Sequence, residues 1–308
     1  MSLAISGGLL TILLTRLDLD AIRQSFADIH VSVMCLGLIM FGLFLLLGSL
    51  RWRIALRASS LDVPFSVLLR ASVVGHVFNM VFFGPVGGDL AKSTAYARWH
   101  DYELPDVLAT AVVDRSFSAI GALTLAALTL VAFFASPGSP SLALDSTGNE
   151  QPWLLPTGLL VALVLTLVGI RLRRRPFLSR LFGAFAEIAR QLHRAPIKVV
   201  AGCLLGLGGQ ILVSYILLVC LLAITYPQTA CAELVWAYPL IAAIAGLPFS
   251  IAGAGLREGV ALVLLGGCGV APEQVVAAGI LVLAIYGLWA IVGTVVFTWE
   301  EYRHKRAG

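Results

Sequence analysis

The chain has 308 residues, of which 59% are hydrophobic and only 12% charged, with a mean hydropathy of +0.94 and a formal net charge of +4. A soluble domain carries about 25% charged residues. The composition therefore excludes a water-soluble globule and predicts an all-α polytopic membrane protein.

In chain order, apolar runs fall at about 2–15, 29–50, 64–83, 105–135, 153–170, 197–225, 232–249, 256–268 and 272–298. The first run is short and no basic residue precedes it, which argues against a signal peptide. Five cysteines lie in or beside these runs, with no CxxC pair and no metal-ligand spacing, so they read as small buried residues. No cofactor and no nucleic-acid partner are expected.

Basic residues orient the spans. Loop 171–198 holds Arg171, Arg173, Arg174, Arg175, Arg180, Arg190, Arg194 and Lys198, and is predicted to be cytoplasmic. Loops 136–152 and 226–233 have neither Lys nor Arg and are predicted to be external. Arg303, Lys305 and Arg306 put the tail 299–308 inside. Both flanks of 64–83 are basic, with Arg51, Arg53 and Arg57 before it and Lys92 and Arg98 after it. A simple span does not allow that, whereas a re-entrant hairpin over 64–99 does. The loop holding Arg16 and Arg23 then falls outside, against the rule. The run 232–268 reads as a second hairpin or as two short spans.

The first repeat, 1–135, becomes span, span, hairpin, span, and 153–298 repeats it from the other side. About six full spans plus two re-entrant hairpins make an inverted-topology repeat, a plan in which the working site lies near the midplane. Residues 176–195 form an amphipathic cytoplasmic helix, expected on the anionic inner leaflet or packed on the protein.

Candidate site residues cluster at the broken segments. Arg51-Trp52-Arg53 ends a span, as an interfacial anchor or as a headgroup contact. His76 and Asn79 share one helix face and serve either an interhelical hydrogen bond or a polar cavity. Gly84, Pro85, Gly87 and Gly88 break the first hairpin before Asp89 and Lys92. This is not a Walker A loop, because Ala91 rather than Gly precedes the lysine. The helix end that follows suits a phosphate, although Asp89 could cap it instead. Asp114 and Arg115 lie inside an apolar run, where charge is costly. Neighbours on a helix point apart, so each needs a partner elsewhere; Lys92 and Glu258 are candidates, and a clamp between the repeats is the alternative role. Pro248, Gly253 and Gly255 break the second hairpin before Arg257 and Glu258, and Gln210 and Ser214 could face the same cavity. No catalytic set is present, so no enzyme is expected.

Arg51-Trp52, Asn79, Pro85, Gly87-Gly88-Asp89, a base three residues on, Asp114-Arg115 and the stretch LPFSIAGAGLREGVALVLLGGCGV resemble the flippase-like, lysylphosphatidylglycerol synthase transmembrane domain family. The resemblance covers essentially the whole chain. Lys92 stands where the family typically has Arg, and a point charge replaces a bidentate fork. The soluble aminoacyl transferase domain of the multiple-peptide-resistance proteins is expected to be absent. The resemblance then implies lipid translocation or binding rather than aminoacylation. Lys92, Arg115 and Arg257 would receive an anion, while Asp89, Asp114 and Glu258 would balance charge or contact a cationic headgroup. With no ATPase motif, movement would follow a gradient or couple to protons. A membrane partner of a lipid-modifying or glycosyl-transferring enzyme, and a transporter of another solute, are the alternatives.

Overall fold

The computed structural model describes residues 30–61, 64–81, 85–135, 176–225, 237–242, 256–265 and 270–307, and the regular structure in them is helical. The helices are α1 (Val31–Ala58), α2 (Phe65–Val81), α3 (Pro85–His100), α4 (Leu104–Ala135), α5 (Pro176–His193), α6 (Pro196–Thr225), α7 (Leu256–Leu265) and α8 (Pro272–Ala307). Residues 237–242 add a short helical segment. The expected runs at 2–15 and 153–170, the loop 136–152, and Gly84, Pro248, Gly253 and Gly255 lie outside the described residues.

Local chemistry sets the helix ends. Four helices start on proline, at Pro85, Pro176, Pro196 and Pro272. Proline suits that position because its missing N–H would have no intrahelical partner there. α1 and α3 end by the same device. Ser60 (φ 58°) and Asp101 (φ 53°) adopt the left-handed conformation. Leu61 N–H then bonds Leu56 C=O at 3.0 Å, and Tyr102 N–H bonds Ala97 C=O at 3.0 Å. These closures recover helix-end carbonyls that would otherwise be orphaned.

Among the described residues, α1, α4, α6 and α8 are long and apolar enough to cross a membrane. Close glycine contacts fix how they run. A Cβ at Gly121 on α4 would overlap the Gly206 backbone on α6, and one at Gly202 would meet the Phe117 ring. α4 and α6 are thus parallel. Gly37 faces Ile285 and Gly42 faces Trp289, so α1 runs parallel to α8. Arg51 pairs with Asp114, and Trp52 with Thr110, so α1 runs antiparallel to α4.

This register brings the ends of the uncharged stretches to one level. α1 is uncharged from Val31 to Leu50 and then meets Arg51; α4 is uncharged from Ser116 to Ala135, just after Arg115. Each stretch is about 20 residues, or roughly 30 Å of helix, the thickness of a hydrocarbon core. Lys198, one turn before Gly202, and Glu300 bound the apolar stretches of α6 and α8 at the same end. Asp114 and Arg115 therefore mark the edge of the apolar layer rather than its middle. A residue count along one run does not separate these, because helix α4 begins twelve residues before its uncharged stretch does. Exposed side chains such as Ile39, Leu123, Val131, Ile291 and Val295 belt the outside of the helices, as a bilayer solvent requires.

The apolar face of α5 packs on the protein. Ile188 and Leu192 are buried with Ala55, Ala109, Val113 and Phe117 of α1 and α4. Arg180 ties its first turns to Asp106 (3.1 Å) and Glu103 (3.4 Å), and the Asp106 hydrogen bond raises the guanidinium pKa further. Of the two expected placements, these contacts show packing on the protein, while Phe182 of the same helix is 44% exposed.

Candidate functional site

α2 and α3 form an antiparallel pair whose close approach depends on glycine. A Cβ at Gly88 would overlap Asn79 Oδ1 and the Gly75 carbonyl, and one at Gly75 would lie 3.0 Å from both Gly88 O and Lys92 Cβ. The expected break at 84–88 is shorter than read. Helix resumes at Pro85, so Gly87 and Gly88 belong to the first turn of α3, and Asp89 lies beyond the capping position. Asp89 is therefore not an N-cap, and its carboxylate turns to cations instead.

Five of the predicted residues come together here. Arg51 Nε donates to Asp114 Oδ1 at 2.6 Å and Nη2 to Oδ2 at 3.3 Å. Lys92 Nζ lies 3.2 Å from Asp114 Oδ2 and 3.0 Å from Asp89 Oδ1. Arg115 Nε donates to Asp89 Oδ2. The chain of charges runs Arg51, Asp114, Lys92, Asp89, Arg115, across α1, α4 and α3. Arg51, Lys92 and Asp114 are all buried. Isolated charges in such a place cost several kcal/mol each, and sharing acids between bases offsets that cost. Lys92 also lies 4.7 Å from the centroid of the fully buried Trp52 ring, a cation–π contact strengthened by desolvation. Trp52 Nε1 donates to Thr110 Oγ1 at 2.8 Å, which fixes the ring.

The adjacency argument holds for Asp114 and Arg115, which take different partners. Of the two candidate partners, Lys92 is one for Asp114; its second partner is Arg51, which the sequence marks only as an anchor or headgroup contact. The signal is in the sequence: two uncharged stretches of equal length are bounded by Arg51 on one span and by Asp114-Arg115 on the other, so an acid and a base come level when the spans run antiparallel.

His76 is buried on the other side of α2, its Nε2 2.9 Å from the Tyr286 carbonyl of α8 and its ring 4.7 Å from Phe41. Asn79 Oδ1 has no hydrogen-bond partner among the described residues. Gln210 Nε2 reaches Ser118 Oγ on α4 at 3.4 Å, and Ser214 bonds the Gln210 carbonyl within its own helix at 2.8 Å.

Arg257 and Glu258 form a second group, on α7 against α6 and α8. Here chain neighbours do bond each other: Arg257 Nε lies 2.9 Å and Nη2 2.5 Å from Glu258 Oε1. Nη2 also donates to Gly279 C=O on α8 at 3.0 Å. Both residues are buried beside a cavity of about 20 Å³, lined otherwise by Leu217, Leu221, Tyr238 and Ile241 among others. That volume holds about one water, far less than a lipid headgroup. Lys92 and Arg257 are thus engaged with acids and closed off, and of the three expected anion receivers Arg115 is the accessible one, its side chain 42% exposed.

Gly279 closes the second group. A Cβ there would overlap Glu258 Oε1 and lie 3.2 Å from Arg257 Nη2. Gly279→Ala is expected to lower stability by about 1–3 kcal/mol, read as an earlier thermal unfolding in detergent. Gly259→Ala on α7, with open space around its Cβ position, serves as the control and should change little.

At the same end as Arg51, Glu300 and Glu301 of α8 receive Arg70 of α2 and Arg98 of α3. Both outer ends of the α2–α3 pair therefore return to one end of α8. His100 lies among these charges, and burial there pulls its imidazole below the ordinary value.

No individual curated protein matches the chain significantly. The family model for the lysylphosphatidylglycerol synthase TM region matches residues 1–293. A multi-pass helical bundle with this charge chain, matched over nearly its full length, belongs to the lysylphosphatidylglycerol synthase transmembrane-region family.

Proposed function

We propose that the protein is a lipid translocase, flippase- or scramblase-like and not an enzyme, which passes a polar headgroup along the charged face of the α2–α3 hairpin while the acyl chains stay in the bilayer. The observation that carries this is the buried charge chain from Arg51 to Arg115. A span serving only as an anchor has no use for five ionised groups at the edge of the apolar layer, and intramembrane charge marks substrate pathways. Family membership supports lipid handling.

The return of α2 and α3 to the same end of α8 favours a re-entrant hairpin. That end carries Arg57, Arg194, Lys198 and Arg303, which favours a cytoplasmic placement, in a cell membrane with both termini inside. The second broken segment, around Arg257 and Glu258, favours an inverted repeat. In the arrangement described, the second group is closed, so passage requires α7 to part from α8. The reading as a docking partner for a lipid-modifying enzyme has less support, because Ile188 and Leu192 of the apolar face of α5 are buried against α1 and α4.

Reconstitution of the full chain into vesicles with fluorescent phospholipids tests this. Faster loss of dithionite-protected fluorescence than in protein-free vesicles is expected. No acceleration across several lipid classes would overturn the proposal, and uptake of a soluble solute without lipid movement would favour the transporter reading.

A further inference from the structure

We infer, building on the translocase reading above, that the polar end of α8 is an electrostatic latch on the α2–α3 hairpin: Glu300 and Glu301 hold the outer ends of α2 and α3, and a proton on His100 loosens that hold.

The latch is separate from the packing that joins the same helices. α2 lies against α8 at Gly293, where a Cβ would overlap the Val73 carbonyl and the Val77 side chain. The family match ends at that residue. α8 leaves its apolar stretch after Trp299 and continues as helix to Ala307. A bilayer crossing does not require this continuation, since about 20 apolar residues suffice. Its first two residues each take a base from a different arm of the hairpin. Glu300 pairs with Arg70 of α2, and Glu301 lies 3.9 Å from Arg98 of α3. Arg70 is steered by a bond from its Nε to the Ser66 carbonyl at 3.2 Å.

Both pairs are partly exposed, Arg98 at 66% and Glu301 at 28%. Exposed pairs are individually weak and are screened by salt. That strength suits a latch, which biases the stance of the hairpin without fixing it. α3 carries Asp89 and Lys92 toward its other end, so Glu301 acts on the charge chain through α3 and is a positioning residue.

His100 makes the hold depend on pH. It closes α3 with its ring 5.3 Å from Tyr96 and 6.4 Å from Tyr102. Arg70 faces it from α2, Glu300 and His304 from α8, and Asp101 from its own turn. Burial lowers the imidazole pKa most; Glu300 and Asp101 raise it, while Arg70 and His304 lower it. Once the hairpin is released that burial is lost, and the imidazole returns toward about 6.5. The released state then binds more protons than the latched one. The latched state is therefore favoured above about pH 6.5 and loses stability as pH falls below it. A protonated His100 also stands as a second cation beside Arg70, competing for Glu300.

A distance measurement tests this without requiring lipid movement. The full chain, its five cysteines replaced by alanine, carries nitroxides at the exposed positions Ser66 and Lys305 and is read in nanodiscs by double electron–electron resonance. A short distance should dominate at about pH 7.5, and a longer one should gain about threefold or more in population at about pH 5.5, the scale of one exposed ion pair. Glu300→Gln combined with Glu301→Gln should show the longer distance already at the higher pH. His100→Gln should remove most of the pH response. Arg70→Glu combined with Glu300→Arg restores opposite charges and guards against a folding failure; it should recover the short distance that Glu300→Arg alone loses. Distances that ignore both pH and the double glutamine change overturn the inference. So does an undiminished pH response in a folded His100→Gln, or a charge swap no better than Glu300→Arg alone. Vesicles that show no lipid flipping while the distance still responds to pH would sink the translocase reading and leave the latch standing.

Discussion

Asp114→Ala should be the most damaging single change in the charge chain, lowering stability by about 3–5 kcal/mol. That is the cost of removing one partner from a buried ion pair and leaving the other uncompensated. Asp114 accepts from both Arg51 and Lys92, so its loss strands two cations in a place where side chains are almost fully covered. Removing one cation is gentler, because the other still neutralises the carboxylate. Arg51→Met is therefore expected to cost clearly less than Asp114→Ala, and its methionine fills much of the vacated volume. Thermal unfolding of both variants in detergent checks the order. If Arg51→Met proves equal or worse, Asp114 is not the shared acid and the chain of charges is wrongly drawn.

Gly88→Val should be less costly to stability but should abolish function. The Cβ would strike the Gly75 carbonyl, a backbone atom that cannot turn aside as a flexible side chain can, and Asn79 Oδ1 beside it. Overpacking of this kind costs about 1–3 kcal/mol. Relief comes by moving α3 off α2, and α3 carries Asp89 and Lys92. Their partners on α4 stay behind, so the 3.2 Å contact of Lys92 with Asp114 and the pairing of Asp89 with Arg115 lengthen together. Gly48→Ala is the comparison, since nothing lies within 4 Å of a Cβ at Gly48. The expected result is a folded Gly48→Ala protein with unchanged lipid activity and a destabilised, inactive Gly88→Val protein. Full activity in Gly88→Val would mean that the close packing of α2 on α3 does not serve the site.

Much of the site is legible from residue type alone. Charges in or beside apolar runs are costly enough that Asp89, Lys92, Asp114, Arg115, Arg257 and Glu258 stand out without coordinates. Glycine and proline at 84–88 announce a change of direction in the same way. The break was overestimated because proline reads as an interruption, whereas at the first position of a helix it is a start. Asp89 as a cap failed for the same reason: moving the helix start from Asp89 to Pro85 puts the carboxylate one turn too late. The amphipathic pattern of α5 is plain at helical spacing, but a pattern of apolar residues specifies a face and says nothing about what covers it.

Hydropathy and charge by themselves determined that this chain is a helical, multi-pass membrane protein, and which residues pay an abnormal cost for being where they are. Only the folded arrangement decided who pairs with whom, because Arg51 and Asp114 are 63 positions apart and meet through the antiparallel register of α1 and α4. It also decided depth: the level of Asp114 and Arg115 follows from where the neighbouring spans stop, a relation between helices that one helix does not contain. Exposure was decided there too. Lys92, Arg115 and Arg257 are all basic residues beside apolar runs, and the packing of α3, α4 and α7 buries the first and third and leaves the second partly exposed.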